Sequence, residues 1–378
     1  SAQPSATGAN AVAIGDSAVS AGAKSTAIGR ANASGADSFA AAITNNTTTY
    51  GAQNANSIAM GLQAKASGTR STAIGGEYSL ASGFDSVSIQ GGKSLGTQSI
   101  GIMGQASPDH SIAIGSGARG NGTRSVALGY EAIAAGADTA VFGKAYASGA
   151  SAFAANITNS TSSYGGIGAN SIAMGYLAKN TGGFGLSVGT SSINSGGSNA
   201  YVLGGFSEAT QSGSYAFGKY AKSDIIGKMA YASTRLNNIT GGTQQGTYVL
   251  IKETTDATET ALTTDAGSTS NTNRNRMFIA PKSAFAFTGM VVGRERGSSG
   301  DLAAAWQVQG LVKTDSSGTP TLVTKVINVV DNTPSWDFDI ATYNVTTNVK
   351  GIDFLVTGQA SKNIAWVATI TTTELVTP

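Results

Sequence analysis

The chain repeats a short alternation of small, apolar and glycine positions, of which Ser25-Thr26-Ala27-Ile28-Gly29 is representative. The pentapeptide returns, with small variations, at 11–15, 57–61, 71–75, 111–115, 125–129 and 171–175. The commonest step is 14 residues, which is too short for a pair of helices, and Gly and Ser weaken helices. Two short strands and two turns fit this step. The pattern therefore predicts stacked coils of strands, a β-solenoid.

A longer period overlies the first. The repeat positions 15, 29, 42, 61, 75, 90 and 104 return 114 residues later at 129, 143, 156, 175, 189, 204 and 218. In both copies one step is 19 residues, and the extra residues form two corresponding polar stretches, 43–51 and 157–165. We therefore interpret residues 1–227 as a duplicated block, with copies at about 1–114 and 115–227. Each copy carries one polar loop that leaves the coils at the same place.

From Gly246 the pattern changes to longer segments with period-two alternation, which is typical of antiparallel strands. The predicted strands cover residues 247–252, 284–292, 304–313, 322–330, 336–340, 351–357 and 364–371. Trp306, Trp336 and Trp366 lie in these ranges and are predicted to be core residues. The sequence thus predicts an all-β chain with coils over 1–227, a junction over 228–245 and a jelly-roll-like antiparallel β-sandwich over 246–378.

Composition excludes several classes of function. The net charge is +2 and only 12% of residues are charged, which is too sparse for an electrostatic nucleic-acid binder. No apolar run approaches the roughly 18 residues of a membrane helix, so we expect no membrane insertion. The chain has no cysteine, so disulfides and thiol chemistry are excluded.

Two short motifs match catalytic or cofactor-binding patterns but lack the required context. Gly185–Gly189 has the nucleophile-elbow pattern around Ser187, yet His110 is the single histidine and no helix pattern follows. Gly115–Gly120 has a dinucleotide-binding pattern, again without the helix whose N-terminus binds phosphate. Carboxylates are scattered singly along the coils, which does not indicate a metal or paired-acid site. We expect no catalytic residue, no metal, no cofactor and no enzymatic activity.

The coils are poor in large apolar residues, because Ala, Ser and Gly dominate them. One Ile and a few Ala per coil, at about 25 cal/mol per Å² of buried apolar area, barely offset the entropy lost on ordering the chain. Association of several chains along the coils would bury the remaining apolar face. The composition therefore predicts a homo-oligomer.

The pentapeptides and their spacing resemble the head repeats of trimeric autotransporter adhesins, the YadA-like left-handed β-roll. This resemblance implies a homotrimer whose packed interior contains positions that the alternation also selects, namely Ile14, Ile28, Ile74, Ile114 and Leu128. The C-terminal region is similar to a domain common in bacteriophage tail fibre and other virion proteins. That second resemblance rests on residues 228–233, 246–250, 254–258, 292–294, 305–310 and 364–368.

The two resemblances imply an extracellular tail fibre or other virion appendage, with a host surface glycan or protein as receptor and other virion proteins as partners. Two alternatives stay open: the passenger head of a bacterial trimeric autotransporter adhesin, and a tailspike enzyme that degrades surface polysaccharide. An aromatic ring beside amides and hydroxyls suits a sugar. The receptor-binding candidates are therefore the residues of the two polar loops, Asn45, Asn46, Tyr50, Asn159 and Tyr164. The alternative for these loops is that each tyrosine only caps the end of a coil.

Overall fold

The computed structural model describes residues 3–44, 48–158, 161–269, 274–297, 302–332, 336–346 and 349–378. The chain divides into two compact units, Ser1–Leu177 and Ala178–Pro378, which are described in turn. Throughout the described residues the regular elements are β-strands, which confirms the all-β prediction. In this same part of the chain, no helix has the length and apolar character needed to cross a membrane.

The first unit consists of alternating two-residue and three-residue strands. In chain order they are β1 (Ser5–Ala6), β2 (Val12–Ile14), β3 (Val19–Ser20), β4 (Thr26–Ile28), β5 (Asn32–Ala33), β6 (Phe39–Ala41), β7 (Gly51–Ala52), β8 (Ile58–Met60), β9 (Lys65–Ala66), β10 (Thr72–Ile74), β11 (Leu80–Ala81), β12 (Val87–Ile89), β13 (Lys93–Ser94), β14 (Ile100–Ile102), β15 (Gln105–Ala106), β16 (Ile112–Ile114), β17 (Arg119–Gly120), β18 (Val126–Leu128), β19 (Ile133–Ala134), β20 (Ala140–Phe142), β21 (Tyr146–Ala147), β22 (Phe153–Ala155), β23 (Gly165–Gly166) and β24 (Ile172–Met174).

Each coil contributes one strand of each kind, and the two kinds form two separate parallel sheets. The two-residue strands pair in order from β1 to β23. The three-residue strands pair in order from β2 to β24. The register places equivalent residues in line, as Ala13 beside Ala27 and Ala27 beside Ala40. The predicted β-solenoid is therefore confirmed.

The pentapeptide has a structural reason at each position. The Ser25 side chain points inward, and its hydroxyl donates to the Gly22 carbonyl at 2.7 Å, closing the turn before the strand. Ala27 is fully buried, whereas Thr26 and Ile28 flank it and face outward, because side chains alternate along a strand. Gly22 is required by close packing, since a Cβ there would lie 2.0 Å from the Gly35 carbonyl oxygen. Small residues therefore predominate inside the coils, and the largest side chain at the position of Ala27 in the other described coils is valine.

The second unit begins with coils of the same kind and ends in longer antiparallel strands. Its coil strands are β25 (Lys179–Asn180), β26 (Leu186–Val188), β27 (Ile193–Asn194), β28 (Tyr201–Leu203), β29 (Glu208–Ala209), β30 (Tyr215–Gly218), β31 (Lys222–Ser223) and β32 (Met229–Ala232). Its later strands are β33 (Thr243–Thr254), β34 (Thr260–Ala261), β35 (Met277–Phe278), β36 (Ser283–Glu295), β37 (Ala303–Thr314), β38 (Pro320–Asp331), β39 (Asp337–Thr346), β40 (Val349–Thr357) and β41 (Ile364–Val376).

Two antiparallel sheets form the C-terminal region, as predicted. The larger has the order β33-β41-β36-β37-β38, and the smaller joins β34, β35 and β39 to β40. One hydrophobic core is shared by residues of both sheets, among them Phe287, Ile340 and Phe354. Trp306, Trp336 and Trp366 are buried in this core, which confirms their prediction. The last coil strand joins the larger sheet, since β32 pairs with β33 in antiparallel.

A buried ion pair connects this last coil to the larger sheet. The Lys228 ammonium donates to Glu374 Oε2 at 2.8 Å, and both side chains are almost completely buried. Gln244 donates to the same oxygen at 2.6 Å, while Tyr248 and Thr372 donate to Oε1 at 3.0 and 2.8 Å. Burial, followed by the Glu374 charge, raises the pKa of the Tyr248 phenol well above its usual value, so this phenol keeps its proton and acts as a donor.

Candidate receptor-binding and assembly surfaces

The outer face of the three-residue strands is apolar. Ile14 is 56% exposed and Ile114 is 36% exposed, and Ile28 and Ile74 lie between these values. Leu128 is half-buried on the same face. The five residues expected in a trimer interior thus lie on the outside of their own coil, where a second chain can reach them. The alanine that precedes each of them in its strand points into the coil instead.

The same face contains a second apolar row that the sequence interpretation did not single out. Val12, Ile58 and Ile172 are each the first residue of a three-residue strand, and all are exposed. The signal was present, because residues on either side of a buried central alanine must share the outer face. Each three-residue strand therefore presents two outward positions, and many of them are large and apolar.

Both polar loops are fixed to the coils at their two ends. Ile43 and Ile157 begin the loops and are fully buried. Gly51 and Gly165 end them with φ of 95° and 97°, and a Cβ on either glycine would lie 2.0 Å from a carbonyl oxygen of the preceding coil. These equivalent anchors explain why each insertion leaves the coil and returns within a few residues.

The structure places the two loop tyrosines at the base of the loops. Tyr50 is half-buried and packs against the alanine cluster inside the coils, and Tyr164 is half-buried at the equivalent position. The Tyr50 contact favours the capping role over a fully presented sugar platform. Asn45, Asn46 and Asn159, the other receptor-binding candidates, lie outside the described residues.

Two exposed arginines on the coil turns pair with an aspartate of the next coil. Arg70 donates two hydrogen bonds to Asp85, both 2.6 Å long, and Arg124 contacts Asp138 in the same way at 2.6 and 2.8 Å. These arginine hydrogen bonds lower the pKa of both carboxyl groups below the usual range. The charges of these two arginines are therefore largely neutralised by their neighbours.

The elbow-like serine lies inside a coil. Ser187 is buried, and its hydroxyl donates to the Ser192 carbonyl at 2.9 Å and to the Ser192 hydroxyl at 3.0 Å. The Ser20 hydroxyl contacts Ser25 in the same way, so this is a repeated hydrogen bond inside the coils. Within the described ranges, no group of three or more His, Asp or Glu side chains is arranged to hold a metal ion.

Comparison with known families agrees with this geometry. Two copies of the YadA head domain repeat match the chain, and the matched residues are 6–31, 52–77, 96–118 and 121–144. All of them lie in the coils of the first unit. None of the curated proteins matches the chain. The coils are thus a β-roll similar to that of trimeric autotransporter adhesins, and the repeats indicate a surface-exposed, adhesin-like fibrous protein.

Proposed function

We propose that this chain is the subunit of a homotrimeric fibre, a tail fibre or other virion appendage, that attaches to the surface of a host cell. The observation that carries the proposal is the apolar outer face of the three-residue strands. Contiguous apolar patches of this extent on a protein surface mark sites of association. Partner copies covering this face would supply the apolar burial that the alanine and serine interior cannot.

The second unit has an apolar face of its own, on its coil strands and on the C-terminal sheet. Leu203 and Tyr231 are exposed on the coil strands, and β32 pairs with β33, on which Val249 is exposed. Across the sheet from Val249, the exposed side chain of Met290 lies on β36. A trimer would therefore hold the chains together over both the coils and the sheet.

Three identical chains present three copies of every receptor-contacting residue. Linked sites convert modest individual affinity into strong overall attachment without any new contact. The two polar loops and the turns at the edges of the C-terminal sheets are the surfaces left for a receptor. We propose that a glycan or protein of the host binds there and is not cleaved.

The tail-fibre assignment rests on the resemblance of the C-terminal region, and the YadA head repeats are equally compatible with the passenger head of a bacterial adhesin.

Attachment can be tested directly with fluorescently labelled protein and a panel of bacterial and animal cells. The proposal predicts saturable labelling of at least one bacterial host, and no release of oligosaccharide from its envelope glycan. Selective labelling of animal cells would favour the adhesin passenger. Release of reducing ends from the bacterial glycan would establish the tailspike alternative and contradict binding without cleavage.

The contribution of the loops is measured with the double variant Tyr50→Ala and Tyr164→Ala. The control is Tyr130→Ala, which removes an exposed tyrosine on another coil turn. If the loops contact the receptor, the double variant loses labelling while the control keeps it. Equal labelling by all three proteins would place the receptor contact elsewhere.

A further inference from the structure

Apart from the buried Lys228, whose ammonium lies over Tyr248, cations lie over aromatic rings at three places along the described coils and the junction that follows them. The Arg70 guanidinium is 4.1 Å from the Phe84 ring centre, and Lys144 Nζ is 5.6 Å from the Tyr130 ring centre. The Tyr220 ring receives two cations. The Arg235 guanidinium is 4.0 Å and Lys219 Nζ is 5.2 Å from its centre.

The first two places are neutralised by a carboxylate. Arg70 forms its two hydrogen bonds with Asp85, and Lys144 lies 2.7 Å from Glu131. At Tyr220 neither cation forms a salt bridge with any Asp or Glu among the residues that the structure describes. In the turn that contains Tyr130, the next residue is Glu131. In the turn that contains Lys219, the residue at the position of Glu131 is Tyr220, so this turn has no carboxylate there. Two positive charges therefore remain uncompensated at one ring.

A second ring completes this cluster. Phe206 stacks with Tyr220, with ring centres 5.2 Å apart and planes inclined by 25°, and Phe206 is 43% exposed. The backbone of both ring-bearing residues is fixed in the coils. The Phe206 N–H donates to the Thr190 carbonyl at 2.8 Å, and the Tyr220 N–H donates to the Gly205 carbonyl at 3.0 Å. The stacked pair of rings therefore starts from an ordered backbone, which lowers the entropy cost of binding a ligand.

We propose that Phe206, Lys219, Tyr220 and Arg235 form a binding subsite for a sugar that carries a carboxylate. The apolar C–H face of the sugar would stack on the exposed Phe206 ring. A guanidinium that stacks on a ring keeps its edge donors free, so Arg235 can bind a carboxylate in a bidentate manner while Lys219 adds a point charge. Uronic and sialic acids share this chemistry.

The composition favours an acidic sugar over a nucleic acid. Two cations match one carboxylate, whereas nucleic-acid binding needs many phosphate contacts, and only 12% of this chain is charged. The inference rests on the proposed attachment function, for which it names the class of receptor group. It also differs from the loop candidates, because it places the contact on turns near the C-terminal end of the coils.

The test is calorimetric titration of the full-length protein with matched acidic and neutral oligosaccharides. One arm compares a hexasaccharide of alternating glucuronic acid and N-acetylglucosamine with a neutral chitin hexasaccharide, and the other compares sialyllactose with lactose. The acidic member of at least one pair should bind about tenfold more tightly or better than its neutral partner, as expected for charge-assisted hydrogen bonds. The arm that responds identifies the uronic or the sialic acid.

Variants then assign the binding to these residues. Arg235→Gln and Phe206→Ala should each weaken acidic-sugar binding by about tenfold or more. Tyr130→Ala is the matched control, since it removes an exposed ring beside a cation that is already neutralised, and it should bind as the wild type does. Circular dichroism checks that each variant keeps its strands.

Three results would overturn the subsite: no binding of either acidic sugar, equal binding of acidic and neutral sugars, or unchanged binding by both variants. Each is distinguishable from failure of the attachment proposal. Protein that labels host cells but gives one of these results contradicts the subsite alone. Protein that binds the acidic sugar through Arg235 and Phe206 but labels no cells contradicts the attachment proposal alone.

Discussion

At the scale of single residues, serine hydroxyls form hydrogen bonds within the turns of the coils, and exposed Arg–Asp pairs join neighbouring coils. The buried serines repeat one bond, since Ser71, Ser86 and Ser99 each donate to the carbonyl three residues earlier at 2.7 Å. The same carbonyl also accepts the backbone N–H of that serine, so the bond gives the buried hydroxyl a partner and adds a second hydrogen bond to the turn. The exposed Arg–Asp pairs act differently, because water screens them and they add little to stability.

The Arg70–Asp85 pair gives a prediction for pH. The Arg70 hydrogen bonds lower the pKa of Asp85, so the pair stabilises the fold above the ordinary carboxyl pKa, and this contribution is lost as pH falls through the lowered folded-state pKa. A ¹³C NMR titration should give an Asp85 midpoint below the ordinary aspartate value. Arg70→Gln should raise that midpoint and leave Asp138 unchanged, because Asp138 pairs with Arg124. An Asp85 midpoint that does not respond to Arg70→Gln would contradict the assignment.

The buried pair Lys228–Glu374 predicts a larger effect on stability. Glu374→Gln leaves the buried Lys228 ammonium without a counter-charge, which should lower the free energy of unfolding by about 3–5 kcal/mol in urea denaturation. The double variant Lys228→Met with Glu374→Gln removes both charges and keeps an amide oxygen as acceptor for Tyr248 and Thr372, so it should recover most of that loss. Glu253→Gln serves as the control, since its partner Arg296 is exposed and the change should cost less than about 1 kcal/mol.

At the scale of elements, the strands of the coils are kept together by small interior residues and exact register. Ala27 is fully buried between the two sheets, while Ala23 is exposed in the turn of the same coil. These two alanines therefore form a matched pair for testing how tightly the interior is packed.

Ala27→Phe should destabilise the protein by about 1–3 kcal/mol, because the equivalent central positions of other coils hold nothing larger than valine, as at Val141, and leave no room for an aromatic ring. Ala23→Phe should change the free energy of unfolding by less than about 0.5 kcal/mol. Urea denaturation of both variants measures the difference. Equal stability of the two variants would show that the interior accommodates larger side chains, contrary to the packing described above.

Much of the element structure follows from the sequence alone. Alternation predicted all seven long C-terminal segments, and the strands found extend them, as 284–292 became Ser283–Glu295. The ends were missed because ladder hydrogen bonds with neighbouring strands continue past the alternating residues. The Lys228–Glu374 pair was not predictable, since 146 residues separate its partners and only the sheet order brings them together. The Tyr50 packing agrees with one of the two alternatives that the sequence left open, since composition does not reveal which way a loop tyrosine turns.

At the scale of the whole molecule, the proposed trimer explains why a chain with alanine-filled coils has so many exposed aliphatic side chains. The sequence predicted the positions involved, but the number of chains depends on contacts between copies. The outer faces of the two coil sheets provide a comparison. Ile28, Ile74 and Ile114 lie on the three-residue strands, and each can be changed to aspartate without altering the coil interior.

The matched control places three aspartates on the other coil sheet. They replace half-buried apolar residues that point outward from two-residue strands, namely Val19, Leu80 and Ile133. The number of new charges is the same in both triple variants. Only the first variant places them on the face that the proposal assigns to partner chains. The control should therefore keep the mass of the wild type.

The solution mass of the purified chain, measured by light scattering, shows whether three copies associate. A homotrimer predicts a wild-type mass of about three times 37.7 kDa, and a mass near 37.7 kDa for the variant with aspartate at 28, 74 and 114. A wild-type protein of 37.7 kDa would contradict the trimer. A trimer that survives the first triple variant but not the control would place the interface on the opposite sheet.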